Sequence, residues 1–207
     1  ATHTHGAPVS MQDRLGAGAD PAFLHRLEDG CVLALDTALA NARDGSLSFG
    51  NGSDPDIARN RRHADGPLDR SLPVLRLRDT TGNLLAVVVS YACHPTVLGA
   101  DNLQITADFP HYLRQRIEAA HPGAIAIYLN GCTGDVNIGH SAQASWSTAA
   151  SASRSFENAQ RIGERIADAA LAAPETVLTD SVQSADRLVT LDLERREGDL
   201  DATGAAW

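Results

Sequence analysis

Lysine is absent: all 17 basic residues of this 207-residue chain are arginine. Without a lysine amine there is no Schiff-base catalysis and no Walker-type phosphate loop. Cysteine is scarce. Cys31, Cys93 and Cys132 stand far apart with no CxxC pair, which excludes a thiolate zinc knuckle and a thioredoxin-type motif. An odd count is no disulfide framework, and all three are expected to be buried small hydrophobes. Positive charge is outnumbered, with 26 acidic residues and a formal charge of -9, so no basic surface is available to neutralise nucleic-acid phosphates. Long apolar runs are missing too. The longest, "LLAVVVSYAC" at 84–93, is too short to cross a bilayer, and the polar start lacks the apolar stretch of a signal peptide. The single methionine is Met11, so the chain is expected to begin after a removed segment or to be an excerpt of a longer protein. Compartment and oligomeric state stay open.

What is present reads as a layered α/β domain. Residues 20–43 predict a helix capped by Asp20, with Pro21 in its first turn and Phe23, Leu24, Leu27, Cys31, Leu35 and Leu39 at helical spacing. Residues 45–66 are glycine-punctuated loop, with "SLSFG" as a short strand. "LPVLRLRD" at 72–79 alternates like a strand with one wet face. "NLLAVVVSYA" at 83–92 is continuously apolar, as in a strand buried on both faces, and the two form a hairpin leading to His94. Residues 107–120 predict a helix capped by Asp108, 124–131 another buried strand, 141–153 a loop, 154–173 an amphipathic helix, and 181–194 a last strand. The expected fold is α/β, with mixed sheet layers flanked by helices, in one domain that continues beyond the chain.

Three stretches carry candidate chemistry. "ATHTHGAP" at the start puts His3 and His5 at alternate positions, which a strand turns to one face. Imidazole is the commonest neutral nitrogen ligand for a transition metal. "YACHPT" holds His94 where a buried strand must turn, since Pro95 cannot join a ladder. Ends of buried strands are where α/β sheets place ligands. Cys93 cannot pair with the neighbouring His94, because strand neighbours face opposite ways. In "NGCTGDVN" at 130–137, Gly131 and Gly134 let backbone N–H groups approach a substrate. Asp135 can orient a histidine or cap the turn, and Thr133 or Cys132 offers a nucleophile. In "NRRHADGP", Arg61 and Arg62 carry forked donors suited to a carbonyl or carboxylate.

Taken in order, "ATHTHGAP", "NRRH", "LPVLRLRD…GNLLAVVVSYACHPT", "ITADFPHYL" and "YLNGCTGDVN" resemble the amino-terminal catalytic domain of the neutral, non-lysosomal ceramidases and their shorter bacterial relatives. The resemblance spans residues 1 to about 140. It implies a zinc amidohydrolase that splits an N-acyl amide. By position, His3 and His94 match the two histidine zinc ligands, His5 a histidine beside the metal, and Arg61 an arginine of the active-site pocket. Asp108 falls in a matching stretch, as support for a ligand. The family completes its zinc shell with a glutamate and a tyrosine far downstream, beyond this chain. Its "GDVS" serine is replaced here by Asn137, and the serine-glycine pair usual after the second histidine is missing.

The expectation is therefore a zinc-dependent hydrolase of a small-molecule or lipid amide. His3 and His94 hold the metal, His5 and Arg61 act on the reacting carbonyl, and Gly134, Asp135 and Asn137 line the substrate. Two alternatives stand beside it: a cysteine-based hydrolase using Cys132, and a ceramidase-shaped binding protein without catalysis.

Overall fold

The computed structural model describes residues 2–11, 18–179 and 183–190. Three helices, α1 (Pro21–Ala40), α2 (Phe109–Ala120) and α3 (Phe156–Leu171), accompany seven strands. The strands are β1 (Gly45–Gly52), β2 (Arg59–Asn60), β3 (Leu72–Asp79), β4 (Leu84–Tyr91), β5 (Ile125–Asn130), β6 (Val136–Asn137) and β7 (Thr176–Val177). Five of them form one mixed sheet in the order β5-β4-β3-β1-β7, and β2 pairs with β6 in a separate two-stranded ribbon. The β3–β4 hairpin is antiparallel, as expected, whereas β4 and β5 run parallel, joined through α2. This is the α/β fold with a mixed sheet and flanking helices that the sequence predicts.

The core lies on one face of that sheet. Leu72 and Val74 of β3, Val87, Val89 and Tyr91 of β4, and Ala126 and Tyr128 of β5 meet the buried sides of α2 and α3. Asp108 caps α2 by accepting from Phe109 N, and Ser155 caps α3 by accepting from Asn158 N. The two helices approach very closely at Gly163, where an added Cβ would collide with the Phe109 carbonyl oxygen. Arg76 of β3 points into this layer. Its buried guanidinium donates to the carbonyls of Ala170 (2.9 Å) and Ala173 (3.2 Å), tying β3 to the end of α3.

The opposite face differs from expectation. Leu77 lies in register with Ala86 and Ile125, and Val88 with Ile127, so apolar side chains line up across the sheet. Yet Ile125, Ile127 and Leu129 are exposed, along with Phe49 and Leu77, and Ala86 and Val88 are only half-buried. β4 and β5 are thus covered on one face, not two. An unbroken apolar run fits double burial, but it cannot distinguish a covered face from an uncovered one.

Other corrections are local. β1 is eight residues long instead of five, held through its glycines by full pairing with β3. Of the strand expected at 181–194, the described residues 183–190 form no regular element; the rest lies outside the described residues. The chain instead leaves α3 into the short β7. Cys93 is buried, but Cys31 and Cys132 are exposed, because α1 buries no residue and Cys132 points outward from a loop whose Thr133 points in. No helix among the described residues is long and apolar enough to cross a membrane.

Candidate metal centre

Because β4 and β5 are parallel neighbours, both end at the same edge of the sheet, and their exits form the floor of the site. The exits are stitched together. Gly131 N donates to Tyr91 O, and a Cβ at Gly131 would press on Ala92 at 3.0 Å. Three residues past β4, the backbone N–H of His94 donates to Val136 O at 2.9 Å. Its ring Nδ1 lies 2.6 Å from the carbonyl oxygen of Thr133 and 3.2 Å from that of Val136. A carbonyl can only accept, so Nδ1 carries the proton and Nε2 keeps a free lone pair. This is the arrangement in which histidine ligates a metal, with its second nitrogen fixed by a backbone acceptor.

His3 and His5 reach the same place from the amino terminus, though not on a strand. The segment has no ladder, and His3 adopts a left-handed backbone with φ 60°. For a histidine this is a strained conformation that surrounding contacts must hold. Thr4, between the two histidines, donates through Oγ1 to Thr106 O at 2.8 Å and accepts from Gly6 N. Thr106 N donates to Gly6 O at 2.7 Å, and a side chain at Gly6 would collide with Thr106. The two ends of this peptide are thus clipped to the loop before α2, and both imidazoles are aimed at His94. Ring centroids lie 4.7 Å apart for His3–His94, 5.6 Å for His5–His94 and 5.7 Å for His3–His5.

One nitrogen of each ring lies within 4.8 Å of the others. Burial, then the neighbouring His94 and His3 rings and Arg61, holds His5 below the ordinary imidazole pKa. Burial also lowers His94, against the opposing pull of the Thr133 and Val136 carbonyls. Both rings are therefore neutral at pH 7, the form that donates a lone pair. Three imidazoles converging on one point fit a first-row divalent ion, and three nitrogen ligands leave a fourth position open. The geometry groups His5 with His3 and His94 as donors of the same kind.

The remaining candidates fall into two groups. Arg61 belongs with the histidines: its charge bears on both His5 and His94. Its Nη2 donates to Gly134 O at 2.7 Å, its backbone N donates to Asp135 O, and its buried Nε makes no hydrogen bond among the described residues but lies 3.9 Å from the Asp135 carboxylate. Gly134 and Asp135 are exposed beside it. The Asp135 carboxylate accepts from Arg62 Nε at 2.6 Å and orients no histidine. Asp108, fully buried, has backbone angles φ 60° and ψ −148°, close to a region that only glycine populates readily. Among the described residues its carboxylate makes no hydrogen bond to an imidazole. It accepts from Val97 N and Leu98 N as well as Phe109 N, tying the loop after His94 to the start of α2. Burial raises its pKa, and those three bonds oppose the rise. Asn137 faces its own turn, with Nδ2 donating to His140 O and Oδ1 accepting from Gly139 N. Cys132 is exposed, and among the described residues no hydrogen bond joins its thiol to a histidine. Burial pushes the Cys93 thiol far up, and its sulfur faces the His94 carbonyl oxygen and not the ring.

The residues missed from sequence are Thr4 and Thr106, whereas Thr133, read there as a possible nucleophile, has its hydroxyl taken by Asn130 Nδ2 and meets His94 through its carbonyl. Any residue supplies a carbonyl, so no side-chain signal marks that contact. Thr4 sits between two candidate ligands, where a hydroxyl that could anchor them was readable.

The fold and the three-histidine cluster define an α/β domain with a candidate metal centre at the carboxyl end of parallel strands. No family model matches the sequence, and no curated protein does. Among solved structures, the chain is similar to the neutral ceramidase from Pseudomonas aeruginosa, with 21% identity and a TM-score of 0.63 over 75% of this chain and 26% of that one. It is also similar to a ceramidase complexed with C2, with 22% identity and a TM-score of 0.67 over 83% of this chain and 29% of that one. The fold is ceramidase-like, and the chain spans less than a third of the length of either structure.

Proposed function

We propose that this chain is part of a zinc-dependent hydrolase acting on an N-acyl, ceramide-like amide. The observation that carries this reading is the convergence of His3, His5 and His94 on one point, at a sheet edge whose fold is that of ceramidases. His3 and His94 would hold the ion through ring nitrogens, with His5 beside them as a third donor or as a contact to substrate. When bound, zinc lowers the pKa of a water and polarises the scissile carbonyl.

The chain's own residues do the rest. The Thr133 and Val136 carbonyls fix the tautomer and direction of His94, so no reorientation is needed on binding. The Gly134 carbonyl anchors one arm of Arg61, while Nε, held 3.9 Å from the Asp135 carboxylate without a hydrogen bond, can donate to an oxygen gaining negative charge. Exposed Gly134 and Asp135 form the rim against which the acyl or amine portion rests. Asn137 has no nucleophilic oxygen, and both ends of its amide are engaged, so attack by water is favoured over a serine acyl-enzyme.

The test uses the full-length protein with a fluorescent N-acyl sphingosine, measuring zinc content alongside turnover. Chelation and His94→Ala should each remove both zinc and activity. Arg61→Gln should keep the zinc and lower kcat about a hundredfold, the cost of losing one oxyanion donor. Thiol alkylation should leave turnover intact. Activity persisting in metal-free protein, or abolished by alkylating Cys132, would overturn the reading.

A further inference from the structure

A second cavity, of about 350 Å³, is lined by none of the three clustered histidines. Arg59 borders it from β2, Arg161 and Arg165 from α3, and His140 from the loop after β6; Asp56 and Asn158 complete the polar wall. Three guanidinium groups thus face one carboxylate, in a chain whose overall charge is -9.

The pairing inside the cavity is unequal. Arg59 Nη1 lies 2.9 Å from Asp56 Oδ1 and is neutralised there. Arg161 donates only to the neutral Asn158 amide oxygen, at 2.6 Å. Arg165 makes no hydrogen bond or ion pair among the described residues, and neither Arg161 nor Arg165 has a carboxylate within 4.0 Å. These two are four residues apart, one above the other on the same face of α3. Like charges at that spacing repel, so the helix is destabilised there unless an anion lies between them.

We propose that this cavity binds a phosphate group, carried on a small phosphate monoester or on a lipid headgroup. Guanidinium forks match phosphate oxygens two at a time. The two uncompensated charges equal those of a phosphate monoester dianion, where a carboxylate would leave one unmatched. The volume exceeds what inorganic phosphate alone fills, which leaves room for the group that carries it. The site is separate from the proposed metal centre and does not depend on it.

Calorimetric titration of the full chain with inorganic phosphate, glycerol 3-phosphate and acetate tests the site. Co-sedimentation with phosphatidylcholine vesicles, with and without phosphatidic acid, distinguishes the two sources. Glycerol 3-phosphate should bind more tightly than acetate, and Arg161→Gln and Arg165→Gln should each weaken it about tenfold, as losing a charged hydrogen bond does. Both positions are exposed, so the variants should fold. His94→Ala should leave binding unchanged. Binding to phosphatidic acid vesicles but not to the soluble ester would assign a lipid headgroup. Failure of every phosphate probe at millimolar concentration, equal binding of acetate, or indifference to both arginine substitutions would overturn the proposal.

Discussion

Helices α1 and α3 follow from the same kind of sequence pattern, apolar residues three and four apart behind a capping side chain, yet they end in opposite situations. Asp20 caps α1 by accepting from Ala22 N, and Ser155 caps α3 by accepting from Asn158 N. From there they diverge. α3 buries Ala159, Ile162, Gly163, Ile166, Ala167 and Ala170 against α2 and the sheet. α1 buries nothing, and Val32, Leu33, Leu35 and Leu39 are each more than half exposed. Small residues explain part of the contrast: Gly163 lets α3 touch the backbone of α2, whereas Gly30 has nothing within 4 Å of its absent side chain. Periodicity states which side of a helix seeks cover; whether cover exists is decided by the rest of the fold.

Paired substitutions sharpen this contrast. The largest effect is expected from Ile166→Ala, which opens a hole in a fully buried position and should lower stability by about 2–5 kcal/mol in urea denaturation. Leu35→Ala on α1, the matched change, should stay within about 0.5 kcal/mol, and a larger loss would mean that α1 is packed in solution. Next is Gly163→Ala, where the new methyl meets the Phe109 carbonyl and Leu113 N; about 1–3 kcal/mol should be lost as the helices are pushed apart. Gly30→Ala should act in the other direction. It should slow amide exchange in α1 about fivefold, the helix-propensity gain of about 1 kcal/mol, with no change in the exchange of α3.

The smallest effect concerns how α3 is tied down at its far end. Just beyond it, Glu175 accepts from Arg78 and from Ser48, and these bonds lower its pKa from 4.5 to about 2. A carboxyl held low in the folded state stabilises fully above its unfolded value and loses that contribution as pH falls towards its folded value. Stability should therefore decline between about pH 4.5 and 2. Glu175→Gln should flatten that part of the profile by less than about 1 kcal/mol, because the pair is about one-third exposed. α1 has no comparable tie among the described residues, its last turn bonding only locally from Asn41 to Thr37.

The same distinction separates what could be read from the chain from what could not. The β3–β4 hairpin, α2 and α3 are local patterns with strong caps and turns, and their residues declare them. The pairing of β2 with β6 is two residues long and joins positions far apart, so no window of sequence contains it. His94 was visible as a histidine at a strand exit. The convergence of His3 and His5 on it was expected from strand alternation, whereas the structure achieves it with a left-handed His3 and a threonine clip to Thr106. Asp108 was recognisable as a helix cap, but its reach back to Val97 and Leu98 depends on how the loop folds over it.

That threonine clip decides whether the histidine cluster is assembled at all. Two of the three imidazoles ride on a segment whose hold on the fold is a contact about a hundred residues away along the chain. The sheet and its helices can therefore be fully formed while the centre is still open. Releasing the segment that carries His3 and His5 would disperse the cluster and leave the melting behaviour of the fold almost untouched.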